Sequence, residues 1–192
     1  ADEGLMTNLD GSGDVIVSPS ENADTLALFK KGAIDGAWVP EPWVSRLVLE
    51  AEGHVLVNEA ELWPNGEFPT TLLVVSKDFF DLHPETVASL VAANVASIEW
   101  ISAHPTEVPF VINDVLLADT GKALAPEVLE SALSSVVFTW NPLAAALQTS
   151  LNHAVALDVV RDGSLQGFVQ VSDLNAVLTR NGQPLVSDGG LG

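Results

Sequence analysis

The sequence predicts an α/β protein built on a parallel sheet, in two lobes. Three observations carry that expectation. Short apolar, β-branched runs alternate with helix-like stretches over residues 1–58. A link with two prolines and a glycine follows at 59–69. Beyond it the texture becomes mostly helical, with proline marking three helix starts.

In order, Asn8-Leu9-Asp10-Gly11-Ser12-Gly13-Asp14 is turn chemistry, and Val15-Ile16-Val17 reads as a short strand. Ser18 or Ser20 is expected to cap a helix with Leu26, Phe29 and Leu28 inward, stopped near Gly32. Ile34 to Val39 reads as a second strand. Pro40-Glu41-Pro42-Trp43 opens a second helix, with Trp43, Leu47, Val48 and Ala51 as its apolar stripe. Val55-Leu56-Val57 reads as a third strand.

After the link, Thr70 to Val75 is the strongest strand signal in the chain. Pro84, Pro105 and Pro126 then start helices. The first is expected to bury Val87, Leu90, Val91, Val95, Ile98 and Ile101. The second is expected to bury Val108, Val111, Ile112, Val115 and Leu116 and to end at Gly121. The third offers Val128, Leu129 and Leu133. Val136 to Thr139 reads as a brief strand. Asn141 and Pro142 open a helix to about Val160, and a last helix runs from Asp173 to about Arg180. The Gly-rich end, Asp188 to Gly192, reads as frayed.

Composition narrows the function classes. The chain has 192 residues, 47% of them hydrophobic, enough for one sizeable core or two small lobes. Seven basic residues face 26 acidic ones, for a net charge of −19. That field repels phosphate backbones and anionic lipid, so nucleic acid is not expected as a partner. With no cysteine, disulfides, thiolate nucleophiles and Cys-based zinc sites are excluded. No uninterrupted apolar run approaches the ~18 residues of a membrane helix. The chain starts at Ala1 without an initiator Met, so a processed segment or a longer N-terminal piece is expected ahead of it.

Catalytic and metal signatures are weak. HExxH, GxSxG and phosphate-loop patterns are absent. His54, His83, His104 and His153 share no ligand spacing, and two of them simply precede prolines. Asp10 to Asp14 has part of the spacing of a calcium loop, with Glu21 at its twelfth position. Val15 stands where that loop needs glycine, so a plain turn is the better reading. No catalytic residue, metal or cofactor is expected.

The turn Trp38-Val39-Pro40-Glu41-Pro42-Trp43 stands out. A strand ends, prolines stiffen the turn, and a helix begins at once. In open parallel sheets, ligands bind beyond such strand ends, and helix N-termini favour anions. Trp38 and Trp43 could wall a pocket, whereas Glu41 would repel an anion and Pro42 removes one N–H. Core packing explains the tryptophans equally well. Thr70 and Thr71, just after the link, offer hydroxyl donors; plain β-propensity is the competing explanation. The candidate ligand-binding set is therefore Trp38, Pro40, Glu41, Pro42, Thr70 and Thr71.

The run from Glu21 to Leu26, then Lys31-Gly32-Ala33-Ile34-Asp35-Gly36-Ala37-Trp38-Val39-Pro40-Glu41-Pro42-Trp43, resembles the substrate-binding proteins of ABC importers for aliphatic sulfonates, nitrate and taurine, the SsuA/NrtA/TauA-like family. Further matches in order are Glu61 to Gly66, Thr70 to Val75, Phe79 with His83 to Val87, Thr120 to Leu124, Phe138 to Leu143 and Leu174 to Leu178. The resemblance implies a type II periplasmic-binding fold of two α/β lobes, here incomplete. Residues 1–58 would be the latter part of one lobe, 59–69 the crossing, and 70–192 the mostly helical return into the other. It implies capture of a small oxyanion in a hinged cleft, outside the cell membrane, and delivery to an ABC permease by the full-length protein. A chain about half the family's size is expected to bind ligand weakly. It is also expected to expose apolar surface that dimerisation or strand exchange could cover. Two other readings use the same scaffold: an enzyme related to thiamine-pyrimidine synthesis, and the sensor domain of a regulator.

Overall fold

The computed structural model describes residues 4–7 and 12–192. Its elements in order are α1 (Asn22–Lys30), α2 (Trp43–Ala51), two 3-10 turns (Glu59–Leu62 and Pro64–Gly66), α3 (Lys77–Leu82), α4 (Pro84–Ala103), α5 (Val108–Thr120), α6 (Pro126–Ser135), α7 (Ala144–Ala156) and α8 (Ser172–Arg180).

The α/β expectation, a type II periplasmic-binding-like fold of two α/β lobes, is not met. Of the described residues 52% are helical, and none forms a sheet. Among the described residues, the only strand-type pairing is one antiparallel bridge, Thr7 with Gly13. The five runs expected as strands lie in no ladder, and they are largely solvent-facing: Ile16 is 71% exposed, Leu56 92% and Val137 85%. β-branched runs suit a pleated, half-buried surface, but a strand exists only where a neighbour accepts its ladder bonds. Among the described residues, no run forms such a ladder, and only the Val15 N–H of the first run reaches a neighbouring segment, at the Met6 carbonyl.

The helices follow local chemistry more closely. Glu21, not Ser18 or Ser20, sits at the N-cap of α1, and the Ser20 hydroxyl lies 3.0 Å from that of Thr25 instead. α2 ends at Glu52, which has φ +57°, and the Gly53 N–H returns to the Leu47 carbonyl. A Cβ on Gly53 would stand 3.0 Å from that carbonyl oxygen, so glycine fits the close approach. Pro84 and Pro126 begin α4 and α6 as expected, but Pro105 lies ahead of α5, whose early proline is Pro109. α5 closes at Gly121, in the left-handed region at φ +73°, with its N–H on the Leu117 carbonyl. The six-residue α3, which lacks a long periodic stripe, is capped by the Ser76 hydroxyl on the Phe79 N–H.

The chain divides into two compact units. The first holds residues 1–55 and 127–134. In it α1 packs on α2, Leu26 and Leu47 are buried, and α6 adds Val128, Leu129 and Ala132. The buried Ser45 is satisfied by a 2.9 Å hydrogen bond to the Ser131 hydroxyl.

The second unit holds residues 56–126 and 135–192. Its core is Val95 of α4 against Leu174, Val177 and Leu178 of α8, ringed by Val91, Ala92, Trp140, Val171 and Val186. Of the expected α4 stripe, Val87, Val95 and Ile98 are buried and Leu90 is not. In α5 only Val108 is buried, and Val111 and Val115 face outward. α4 is, by length and composition, long and apolar enough to cross a membrane, with a mean hydropathy of 1.3. That average tolerates Glu85 and Glu99, which break any uninterrupted apolar run. Val87, Val95 and Ile98 are its buried residues, Val95 against α8, while only 17% of the apolar window is buried.

One device recurs in the second unit. Asn113 of α5 donates to the Leu124 carbonyl and accepts from the Leu124 N–H, both at 2.9 Å. Asn175 of α8 does the same to Val186, both at 2.8 Å. Each asparagine thus binds the backbone eleven residues onward, folding the segment after the helix back along it. The Gly-rich end is held rather than frayed: the Leu191 carbonyl accepts from the Gly167 N–H at 2.8 Å.

Candidate functional site

The turn from Trp38 to Trp43 lies in the first unit, and Thr70 and Thr71 lie in the second. At the turn, the Trp43 N–H reaches the Pro40 carbonyl at 2.9 Å and the Val44 N–H shares it at 3.4 Å. The Glu41–Pro42 peptide bond is cis. The Glu41 carboxylate accepts from the Ser45 N–H at 3.0 Å, and the Arg46 N–H reaches the Pro42 carbonyl at 3.0 Å. The first four N–H groups of α2 therefore all have partners inside the chain. A helix start binds an anion through its unpaired N–H groups. Here the chain's own carboxylate occupies that place.

Around the turn the charges are also paired. The Arg46 guanidinium lies 4.8 Å from the centre of the Trp43 ring and bonds Glu50 at 2.7 Å. Lys30 reaches the same carboxylate at 3.3 Å. The hydrogen bond from Arg46, then that from Lys30, holds the Glu50 carboxyl below its usual 4.5 despite partial burial. Trp43 is thus a packed residue beneath an arginine. Trp38 is different: its ring is 68% exposed, with no hydrogen bond on its indole N–H. Pro40 is exposed, and Pro42 is half-buried.

Thr70 and Thr71 are both exposed, and neither hydroxyl bonds within the chain. Just before them stands a cluster the sequence did not single out. The Trp63 indole donates to Glu59 at 2.5 Å, and its ring lies 5.0 Å from Phe68 and 5.7 Å from His153. The four-residue spacing of Glu59 and Trp63 was readable, but His153 comes from α7 and only folding brings it there.

Two concavities occur elsewhere. One, about 400 Å³, lies between α4 and α5, lined by Ala96, Trp100, Ile101, Val108 and Val111 among others. Its one hydroxyl, on Ser97, is spent on the Ala93 carbonyl, which leaves the Trp100 indole N–H as a side-chain donor in an otherwise apolar lining. The other, about 380 Å³, runs along α7 beside Asp162, whose charge would oppose an anion. None of the six expected site residues lines either one. Among the described residues, no three His, Asp or Glu side chains are placed to hold a metal ion. Asp10 of the calcium-like spacing lies outside the described residues, and Asp14 accepts from the Met6 N–H at 2.9 Å.

Comparison with known proteins gives a consistent set of relatives. The model of the NMT1-like family matches residues 3–110. Over 86 residues the chain is 35% identical to the bicarbonate transport ATP-binding protein CmpC of Synechocystis sp.. That match covers 45% of this chain and 13% of the relative. Over 80 residues it is 32% identical to the taurine-binding periplasmic protein of Escherichia coli, covering 42% of this chain and 24% of the relative. The chain thus spans a quarter or less of each of these relatives. No solved structure matches it significantly.

Proposed function

The chain belongs to the NMT1-like family, and from that premise we propose that it is part of the solute-binding component of an ABC importer, working by binding rather than catalysis. Its ligand is a small oxyanion of the sulfonate, taurine or nitrate class. The observation that carries this is the pair of relatives, one named for bicarbonate transport and one for taurine binding. Bicarbonate and the sulfonate of taurine share one chemistry: a compact, delocalised anion with several acceptor oxygens. A receptor for such a group presents hydroxyl and N–H donors whose bonds are not already made within the protein.

Trp38 in the first unit, and Thr70 and Thr71 in the second, are each a candidate for that role by itself, with a free donor on an exposed side chain. Pro40 and Pro42 shape the turn that presents Trp38. Glu41 belongs to the turn as a cap, which removes the objection that its charge would face the ligand. In the full-length protein the partners are the ligand and an ABC permease, outside the cell membrane.

Thermal-shift titration tests the reading on this chain and on the full gene product, with taurine, alkylsulfonates, nitrate, bicarbonate and thiamine precursors. Ligand at a hundredfold excess over Kd stabilises the native state by about 2.7 kcal/mol. The full product is expected to shift with at least one oxyanion, and this chain to shift less. A shift only with the thiamine precursors, or none with any oxyanion, would reject the ligand class.

A further inference from the structure

We infer that residues Phe68 to Val75 pair, antiparallel and two-fold symmetric, with the same segment of a second copy of this chain. The inference does not rest on the transport reading, although its segment includes Thr70 and Thr71, proposed above as ligand donors. The segment is apolar yet outward-facing: Leu73 is 56% exposed, Val74 65% and Val75 38%. It is flanked by extended backbone at Glu67 and Ser76 and has no left-handed residue. Among the described residues, no N–H or carbonyl of residues 68–75 is bonded to another backbone group. Exposed, unpaired, β-branched backbone is a template for strand addition.

The charge pattern selects the second copy as occupant. A body with a net charge of −19 repels its own copies, so a self-contact must be locally neutral or complementary. Residues 68–76 carry no charge, and the run is bounded by Glu67 on one side and Lys77 on the other. Antiparallel pairing centred on Leu72 sets residue 72 opposite 72, 70 opposite 74, and 67 opposite 77. Each Glu67 then faces a Lys77 of the other copy, at both ends of the seam. Lys77 is 82% exposed and held only by Asp81 in its own helix, so it can reach across.

The same register satisfies the one residue that could forbid it. With Leu72 as a hydrogen-bonded pair, residues 70 and 74 are also bonded, and 69 faces 75 at a non-bonded position. Pro69, which has no N–H, falls where none is needed. Thr70 then lies beside Val74 and Thr71 beside Leu73, both favourable cross-strand pairs. The other exposed runs, such as Val55 to Val57, lack such self-complementary flanks.

The chain has no cysteine, so Leu72→Cys places a single thiol on the two-fold axis. Hydrogen-bonded antiparallel partners stand about 5.5 Å apart at Cα, within disulfide reach. Sedimentation of the 192-residue chain at about 150 mM salt, over a range of concentrations, is expected to show a monomer–dimer equilibrium. Under oxidation Leu72→Cys is expected to give a covalent dimer, and Val75→Cys, three residues off the axis, is not. Lys77→Glu is expected to weaken dimerisation roughly tenfold, and the swap Glu67→Lys with Lys77→Glu to restore it. A monomer at every concentration overturns the inference. So does a dimer that cross-links at 75 but not at 72, or one that the swap fails to restore.

Discussion

Glu41 shows how one side chain can decide what a turn is for. Its carboxylate sits 3.0 Å from the Ser45 N–H, in the first turn of α2, and acts as a cap from the position before the N-cap proline. The turn thereby loses the open donors that would make it an anion site, and Trp38 is left as its outward group. Glu41→Ala should destabilise the first unit by about 1 kcal/mol, seen as a fall in Tm of ~2–4 °C. Glu41→Gln, which keeps an acceptor oxygen, should lose less. Equal losses from both substitutions, or none from either, would show that the contact does not support the helix. The opposition between Glu41 and an anion was visible in the sequence as a charge. Its resolution was not, because only the folded turn shows the carboxylate bonded to the Ser45 N–H rather than facing outward.

At the scale of elements, helices formed where local signals asked for them, and strands did not. Pro84, Pro126, Gly121 and the run before Gly182 mark helix ends through interactions spanning four or five residues. α5 and α8 each carry an asparagine that ties down the segment after the helix, and α8 is in addition deeply buried through Leu174, Val177 and Leu178. Asn175→Ala leaves the Val186 N–H and carbonyl without their partners in a part-buried place. A cost of about 2–3 kcal/mol follows from two lost hydrogen bonds, with faster amide exchange over residues 183–187. Asn175→Asp, which keeps the acceptor and loses the donor, should fall between. Unchanged exchange in the alanine variant would mean that the returning segment is held by packing alone. Both asparagines looked like ordinary polar helix residues in the sequence, since their partners are eleven positions on.

For the whole molecule, two small cores carry the stability. Leu178 is fully buried between α8 and α4, beside Val95. Leu178→Ala should cost ~2–5 kcal/mol and lower Tm by roughly 5–15 °C. Phe110, 72% exposed on α5, should change stability by no more than ~0.5 kcal/mol when replaced by alanine. Similar losses at the two positions would show that the apolar face of α5 is covered in solution.

The sequence by itself determined the family, the acidic surface without cysteine, and most helix boundaries. These depend on composition, ordered motifs and contacts within one or two turns of chain. Tertiary structure alone decided that Val15 to Val17, Val55 to Val57 and Thr70 to Val75 join no sheet among the described residues, that α6 adds its apolar face to the first unit, and that Glu41 closes the helix start. A helix satisfies its backbone within itself, so its sequence suffices to specify it. A strand needs a distant neighbour, and whether one is present cannot be read from the strand's own residues.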